Sequence, residues 1–583
     1  MLLSESSHAN GSCQPAATSS RQYSSIAETR RILNILVDLL PIPQEARSVA
    51  QGHVTFTSER DFPYFPIPLK ETELGAALKA IEGSVAAAIA DQRQGSRPNR
   101  RVTVNLEKAT AFLFQAYLAT VGGYGKLDSR VKGFLKDTDL LRAQSDPYRR
   151  MSANLYETKT QGSYYHIHGS LEASTTLRMI GLEPFRPDLR DDHDAIVETI
   201  ESKVKQFTAE ELEKLNAEHR QAGVPALKHE EFLNTPHGKV NGNLPPCSVD
   251  NLESSTPPCP FPSIPQGDDD GGSQACRILS GIKVLELCRI IAGPVIGRIL
   301  AEYGADVLKV TSPHLSDVPF FQVDGNMGKH AAEVDLKTPA GRAAFESLLA
   351  DADVVLDGYR PGALERLGYG PRALTELARR RGKGIVYVSE DCFGYEGEWA
   401  DRPGWQQIAD CVSGVAWAQG QFMGLDEPVV PPFPISDYGT GCIGAIAALT
   451  GLYRRATQGG SWHGKASLLH YDLLLFKMGA YPEPVQQELR ARAGASFLAL
   501  RHSHSVDQIS GTALRCMQRE YPQLFDGEKL CETWYAAAYK ADVMVVRPVV
   551  EIDGVEVGFE RASRPNGSDQ LSWDFGGDGD YRR

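Results

Sequence analysis

The sequence predicts an α/β protein, a Rossmann-like parallel-sheet domain joined to a smaller α/β domain in an internally duplicated chain. Three observations carry this. Between residues 281 and 390, buried-strand runs alternate with amphipathic helical runs. The stretch "NLPPCSVDNLESSTPPCPFPSIPQGDDDGGSQ", from Asn243 to Gln274, is rich in Pro, Ser, Gly and Asp without an apolar period, as a linker between two halves would be. Nearly the same helix entry also occurs twice, as "FPIPLKETE" from Phe65 and "FPISDYGTG" from Phe433, each followed by helix, strand and helix of similar lengths.

Taken in order, residues 1–26 read as a disordered, Ser-rich start. Residues 27–140 form the first copy of the repeat, with a helix in "LGAALKAIEGSVAAAIADQRQG" (Leu74–Gly95) and a strand and helix in "RVTVNLEKATAFLFQAYLA" (Arg101–Ala119). The glycines of "VGGYGK" (Val121–Lys126) then stop the helix. Residues 141–242 read as a small α/β domain, in which the capping-box pattern "TAEE" at Thr208–Glu211 opens a helix to about Arg220. Residues 243–275 are the linker. In residues 276–490, "GIKVLEL", "AGPVIGRILAEYG" and "ADVLKV" make one βαβ unit. A helix over 338–352, the strand "DVVLDG", the short helix "ALERLG" and the strand "GIVYVSE" extend it, with no GxGxxG and hence no dinucleotide site. A helix after Asp437 ends near Gly459, and Lys465–Tyr481 gives a strand and helix. Residues 491–583 hold a strand pair around Val545–Gly567 and a loose acidic tail, "SWDFGGDGDYRR".

The bulk properties exclude several classes. The 583 residues, 42% hydrophobic and 23% charged, are those of a globular protein of two or more domains. A formal charge of −13 and a pI near 5.6 leave no basic footprint for nucleic acid. No apolar run reaches the roughly 20 residues of a membrane span, and the start is too weakly apolar for a secretory signal. The expected setting is cytoplasmic, with organelle import left open by the Ser-rich start. Ten scattered cysteines without a CxxC pair indicate neither a disulfide framework nor a zinc site. The pairs His166/His168 and His502/His504 lack further ligands nearby, so no metal is expected.

The chemistry gathers at Asp437. "PISDYGTGCIGAIAAL" puts a carboxylate at the N-terminal end of an apolar helix, where unpaired N–H groups favour its ionised form, with Gly439 and Gly441 leaving room for a ligand to approach. Such a carboxylate is a nucleophile toward an activated acyl group or, equally, a helix N-cap. In the first copy Leu69 stands at the matching point, so the scaffold does not itself demand an acid there.

The segments "LSGIKVLEL…AGPVIGRILAEYGADVLKV", "HAAEVDLKTPAGRAAFESLLADADVVLDGYRPGALERLG", "FGYEGEWADRPG" and "ISDYGTGCIGAIAALTGLYRRATQGG" together resemble the class III CoA-transferases, the family that also includes carnitine and formate CoA-transferases and α-methylacyl-CoA racemases. The likeness runs from Leu279 to about Tyr481, and Ser163–Lys239 resembles the family's small domain. It implies that Asp437 is a nucleophile, acylated by an acyl-CoA and then carrying CoA as an aspartyl thioester before a small carboxylic acid completes the exchange. It also implies that Ala292, Val334, Lys337, Tyr359, Ala363 and Arg366 line the CoA site. CoA would be a substrate, with no permanently bound cofactor. Trp405 and Gln406 stand where transferases often carry a Glu and racemases a His. Gln406 can neither remove nor return a proton, which disfavours racemization. An α-methylacyl-CoA racemase and a non-catalytic acyl-CoA-binding protein remain the alternatives. Because family members are interlaced homodimers, the two unequal halves look like an internal pseudo-dimer or one subunit of a homodimer, with a single competent site, as in two-half fungal relatives serving secondary metabolism.

Overall fold

Seven strands lie in the spatial order His330–Glu333, Asp306–Thr311, Lys283–Leu287, Val354–Asp357, Val386–Asp391, Ser461–Ser467 and Cys247–Glu253 in the computed structural model, which describes residues 23–95, 100–263 and 277–583. The first six are parallel. Numbered along the chain, they run 3-2-1-4-5-6, the doubly wound order whose ligand crevice opens beyond the carboxyl ends of strands 1 and 4. Val284, Leu285, Leu287 and Val354–Leu356 are all buried, as strands covered by helices on both faces require.

The seventh strand corrects an expectation. Cys247–Glu253 belongs to the segment read as linker, yet it pairs antiparallel with Ser461–Ser467. Its inward residues are few, with Val249 packed on Ala447 and Trp462, and the flanking prolines hide so short an alternation. The rest of the linker from 264 on, like the first 22 residues of the expected disordered start, lies outside the described residues. From Ser25 the chain is helical to Leu39, with Ser24 capping that helix.

Two further readings change near the C-terminus. The strands around Val545–Gly567 do not pair with each other. Ala541–Val546 joins Cys531–Ala536, whereas Val550–Ile552, beyond the break at Pro548, crosses to the first-half sheet beside Val102–Asn105. The acidic tail is docked: Asp580 accepts from Arg564 at 2.7 Å, Asp578 pairs with His330 at 3.0 Å, and Tyr581–Arg582 pairs with Trp534 and Tyr535. Its acids answer a basic upstream segment, so composition alone misread it. "VGGYGK" is a tight hairpin, Thr120–Val121 against Tyr124–Gly125, turned by Gly122 and Gly123 at φ 59° and 82°.

Ala153–Glu157, Tyr164–His168 and Val224–Pro225 form the small antiparallel sheet, flanked by helices that include Ala209–His219 with its Thr208–Glu211 capping box. At the centre two 24-residue helices, Glu71–Gln94 and Ile435–Gln458, pack on each other within one apolar core that spans both halves. Each of these helices is followed by a strand and a helix, Val102–Asn105 and Leu106–Leu113 after the first and Ser461–Ser467 and Leu468–Met478 after the second, whereas the seven-stranded sheet occurs once among the described residues. No helix of the described residues is long and apolar enough to cross a membrane.

Candidate active site

Asp437 is the third residue of its helix, not its cap. The N-cap is Pro434, at φ −85° and ψ 56°, and makes no side-chain capping bond. The carboxylate is therefore free of the commonest structural duty of an acid at a helix start. Helix Ala292–Glu302 crosses so closely that a Cβ on Gly441 would lie 2.5 Å from Val295 Cγ1 and 2.9 Å from the Ala292 carbonyl. Gly439 is just as tight, since a Cβ there would meet the Tyr471 ring at 1.9 Å. The glycines thus admit protein neighbours, not the ligand approach read from the sequence. That crossing brings the Ala292 N–H close enough to the Asp437 carboxylate to favour its ionised form. The preceding Ile291 has φ 53° and ψ −81°, a conformation β-branched residues rarely tolerate and one that accompanies functional strain.

The surroundings are acidic and dry. Asp410 Oδ1 accepts from Ser436 Oγ at 3.0 Å, and its other oxygen accepts from Gln406 Nε2. Asp472 accepts from Ser413 Oγ at 2.9 Å, and Glu71 from Tyr471 Oη at 2.6 Å. Burial pushes Asp410 up to about 7 and Glu71 and Asp391 up to about 8. Asp437, 7% exposed, is driven well above the usual carboxylate range by burial and then by the Asp410 charge, with the Ala292 N–H opposing both. The expected preference for the ionised form is reversed, because one N–H does not replace lost water.

Asp437 stands between two openings. One, of about 520 Å³, lies at the switch point of the sheet and is lined by Arg289, Gly358–Pro361, Ala363, Arg366 and the Glu390–Cys392 strand end. The other, of about 90 Å³, lies beyond Trp405 and Gln406. A mostly apolar recess of about 230 Å³, lined by Val334, Lys337, Tyr359 and Ala363, adjoins the first across Tyr359 and Ala363.

The family model of CoA-transferase family III matches residues 279–501. An acetyl-coenzyme A transferase of Hypoxylon pulicicidum is 34% identical over 94% of this chain and 93% of its own length. The chain belongs to CoA-transferase family III. An acyl-CoA transferase of Gibberella moniliformis is likewise 34% identical, over 91% of this chain and 92% of its own. A solved CAIB/BAIF family protein from Brucella suis is 29% identical over 35% of this chain and 56% of its own, with a TM-score of 0.30.

Within this family III transferase, five of the six residues expected at the CoA site line the two adjoining spaces on one side of Asp437. Lys337 falls in the apolar recess and Arg366 in the larger opening. Ala292 lines neither of these spaces. Leu69 lies two residues before its helix begins, bridged to Ala480, so the acid at the matching helical position is Glu73. Sequence reading missed Arg289 and Arg360, both in the larger opening. Their signal was available: each sits one to three residues past a strand that opens onto the switch point, where a doubly wound sheet binds its ligand. The histidine pairs have structural partners. His166 and His168 stack in a column with Trp405, burial pushing His166 down to about 4. His502 sits between Glu201 at 2.9 Å and Glu427 at 3.1 Å, whose charges overcome its burial and raise it to about 9. One described group has metal-ligand spacing, His330 with Asp569 and Asp578, and Arg564 already pairs with both acids.

Proposed function

We propose that this transferase moves CoA between an acyl-CoA thioester and a carboxylic acid through an aspartyl-CoA thioester on Asp437. The observation that carries the reading is a buried helix-start carboxylate, free of capping duty, between a cation-lined opening and a second space. Arg289, Arg360 and Arg366 would hold the CoA phosphates, with Lys337 at the edge of the recess, as charge-assisted donors suit. The apolar recess beside Val334, Tyr359 and Ala363 would take the adenine ring.

The ionised Asp437 attacks the thioester carbonyl, giving a mixed anhydride and CoA thiolate. The thiolate attacks the Asp437 carbonyl, releasing the first acid as carboxylate and leaving aspartyl-CoA. The acceptor carboxylate then attacks this thioester, and the thiolate expelled takes the acceptor's acyl group, restoring Asp437. No net proton is used. The Ala292 N–H, aimed at the carboxylate, would steady the oxyanion formed at Asp437 in the second and third steps.

Intact mass after incubation with a panel of acyl-CoAs tests this. A CoA-sized, hydroxylamine-sensitive adduct absent from Asp437→Asn is expected. Donors that bind yet leave no adduct, or deuterium exchange at Cα without acceptor, would overturn it in favour of a binding protein or a racemase.

A further inference from the structure

The small space beyond Asp437 ends in a charge cluster that the transfer chemistry does not use. Arg150 closes the short helix Pro147–Arg150, and Lys126 follows the Tyr124–Gly125 strand. Asp507 opens the helix Val506–Glu520. All three line this space together with Asp437, Trp405 and Gln406. Lys126 pairs with Asp507 Oδ1, and Arg150 Nε lies 3.9 Å from Asp507 Oδ2. Two cations thus share one acid. The Arg150 guanidinium makes no hydrogen bond among the described residues, unlike its neighbour Arg149, which is tied to Leu141 O, Pro184 O and Ser174 Oγ.

Burial keeps the nearby His166 and His168 rings from adding to this positive charge, and an imidazole, which carries no negative charge, does not neutralise it. Nor does Asp437. Its carboxylate lines the same space but makes no ion pair with either cation among the described residues. Asp507 is held down to about 2, the Lys126 and Arg150 charges outweighing its burial. A space of about 90 Å³ has the liquid volume of roughly three waters. It has room for a spacer of a few atoms, and both the reacting carboxyl and a guanidinium fork line it.

Resting on the transfer reading above, we infer that Arg150 and Lys126 bind the distal carboxylate of the acid that exchanges CoA at Asp437, so at least one substrate is a short aliphatic dicarboxylic acid. The planar fork of Arg150 suits a carboxylate bidentately, and an acid lacking the second anion leaves an uncompensated cation in a confined site. A wider cavity of about 680 Å³ begins behind Tyr117 and Lys126, and a long or bulky acid would have to displace Lys126 to reach it.

The test charges the full-length protein with acetyl-CoA and follows loss of the Asp437 adduct on adding succinate or butyrate. These acids match in chain length and differ in the second carboxylate. Succinate should discharge it at least about 10-fold faster. Arg150→Met and Lys126→Met should each cut the succinate-to-butyrate ratio by about 10-fold, with Arg150→Lys retaining part of it. Equal rates in the native protein, an unchanged ratio in both Met variants, or octanoate outpacing succinate would overturn the inference. If no adduct forms with any donor, the transfer reading fails separately. Calorimetric binding of succinate to native and Arg150→Met protein then decides the site, and equal affinities would overturn it.

Discussion

The two long helices start alike and end in different chemistry. Glu71–Gln94 enters through Lys70 at φ −84° and ψ 58°, Ile435–Gln458 through Pro434 at φ −85° and ψ 56°. Each has an acid at its third position, Glu73 or Asp437, and a glycine at its fifth, Gly75 or Gly439. Glu73 is fully buried. Its Oε1 accepts from Ser25 Oγ at 2.6 Å and Tyr23 Oη at 3.0 Å, and its Oε2 from Tyr481 Oη at 2.6 Å. Asp437 has one backbone N–H and two open spaces. A carboxylate at a helix start is thus raw material. Hydroxyls that occupy every oxygen make it a structural clamp, and room on both sides makes it available for attack.

The widest gap should appear between the two acids themselves. Asp437→Asn should lower CoA transfer roughly 10⁴-fold or more and abolish the CoA adduct, since the proposed nucleophile is gone. Glu73→Gln should leave transfer within about twofold while lowering stability by about 1–3 kcal/mol, the cost of mismatched buried hydrogen bonds. Steady-state kinetics and urea denaturation read both, and comparable losses of transfer in the two variants would remove the distinction.

Next come the arginines that only the second helix faces across its opening. Arg289→Ala and Arg366→Ala should each raise KM for acyl-CoA about 10-fold with kcat less affected, as expected for contacts made equally in ground and transition states. A fall in kcat at unchanged KM would place these side chains at the reacting atoms instead.

These contrasts also mark what the sequence could disclose. The alternation of apolar strands and amphipathic helices was legible because a doubly covered sheet needs it, and the segments after strands 1 and 4 fell at the ligand crevice for the same reason. Asp437 stood out through its motif. The equivalence of Glu73 was hidden, because the two "FPI" entries lead into helices that begin two residues after Phe433 but six after Phe65. Aligning the entries pointed to Leu69, and only helix geometry sets the register. The strand at Cys247–Glu253 and the docked tail escaped because both depend on distant partners, Ser461–Ser467 and Arg564. The raised pKa of Asp437 escaped for a related reason, since burial and Asp410 come from the packed structure.

The pH dependence sharpens the comparison further. In the proposed mechanism Asp437 ionises to attack, and because its folded pKa is raised, kcat/KM should climb with pH well above the ordinary carboxylate value of about 3.9. Asp410→Asn removes a like charge and should move that limb to lower pH. Asp410 itself, near 7 in the fold against about 3.9 unfolded, adds stability that is fully present below the unfolded value and lost as pH rises toward 7. The variant should flatten that decline in urea titrations. An unmoved limb would mean that another group governs ionisation.

The smallest effect concerns the matched glycines. A Cβ on Gly439 would meet the Tyr471 ring at 1.9 Å, and that ring is fully buried and fixed by its 2.6 Å bond to Glu71. A Cβ on Gly75 would meet the end of the Leu113 side chain at 2.8 Å, which can rotate away. Gly439→Ala should therefore cost about 1–3 kcal/mol as overpacking, whereas Gly75→Ala should come near zero because helix propensity returns about 1 kcal/mol. Gly439→Ala should also slow CoA transfer, since a displaced Tyr471 disturbs Glu71 and, through it, the acid cluster around Asp437. Equal denaturation midpoints for the two alanine variants would mean that the second helix is no more tightly engaged at its start than the first, and the contrast between clamp and nucleophile would then rest on the acids alone.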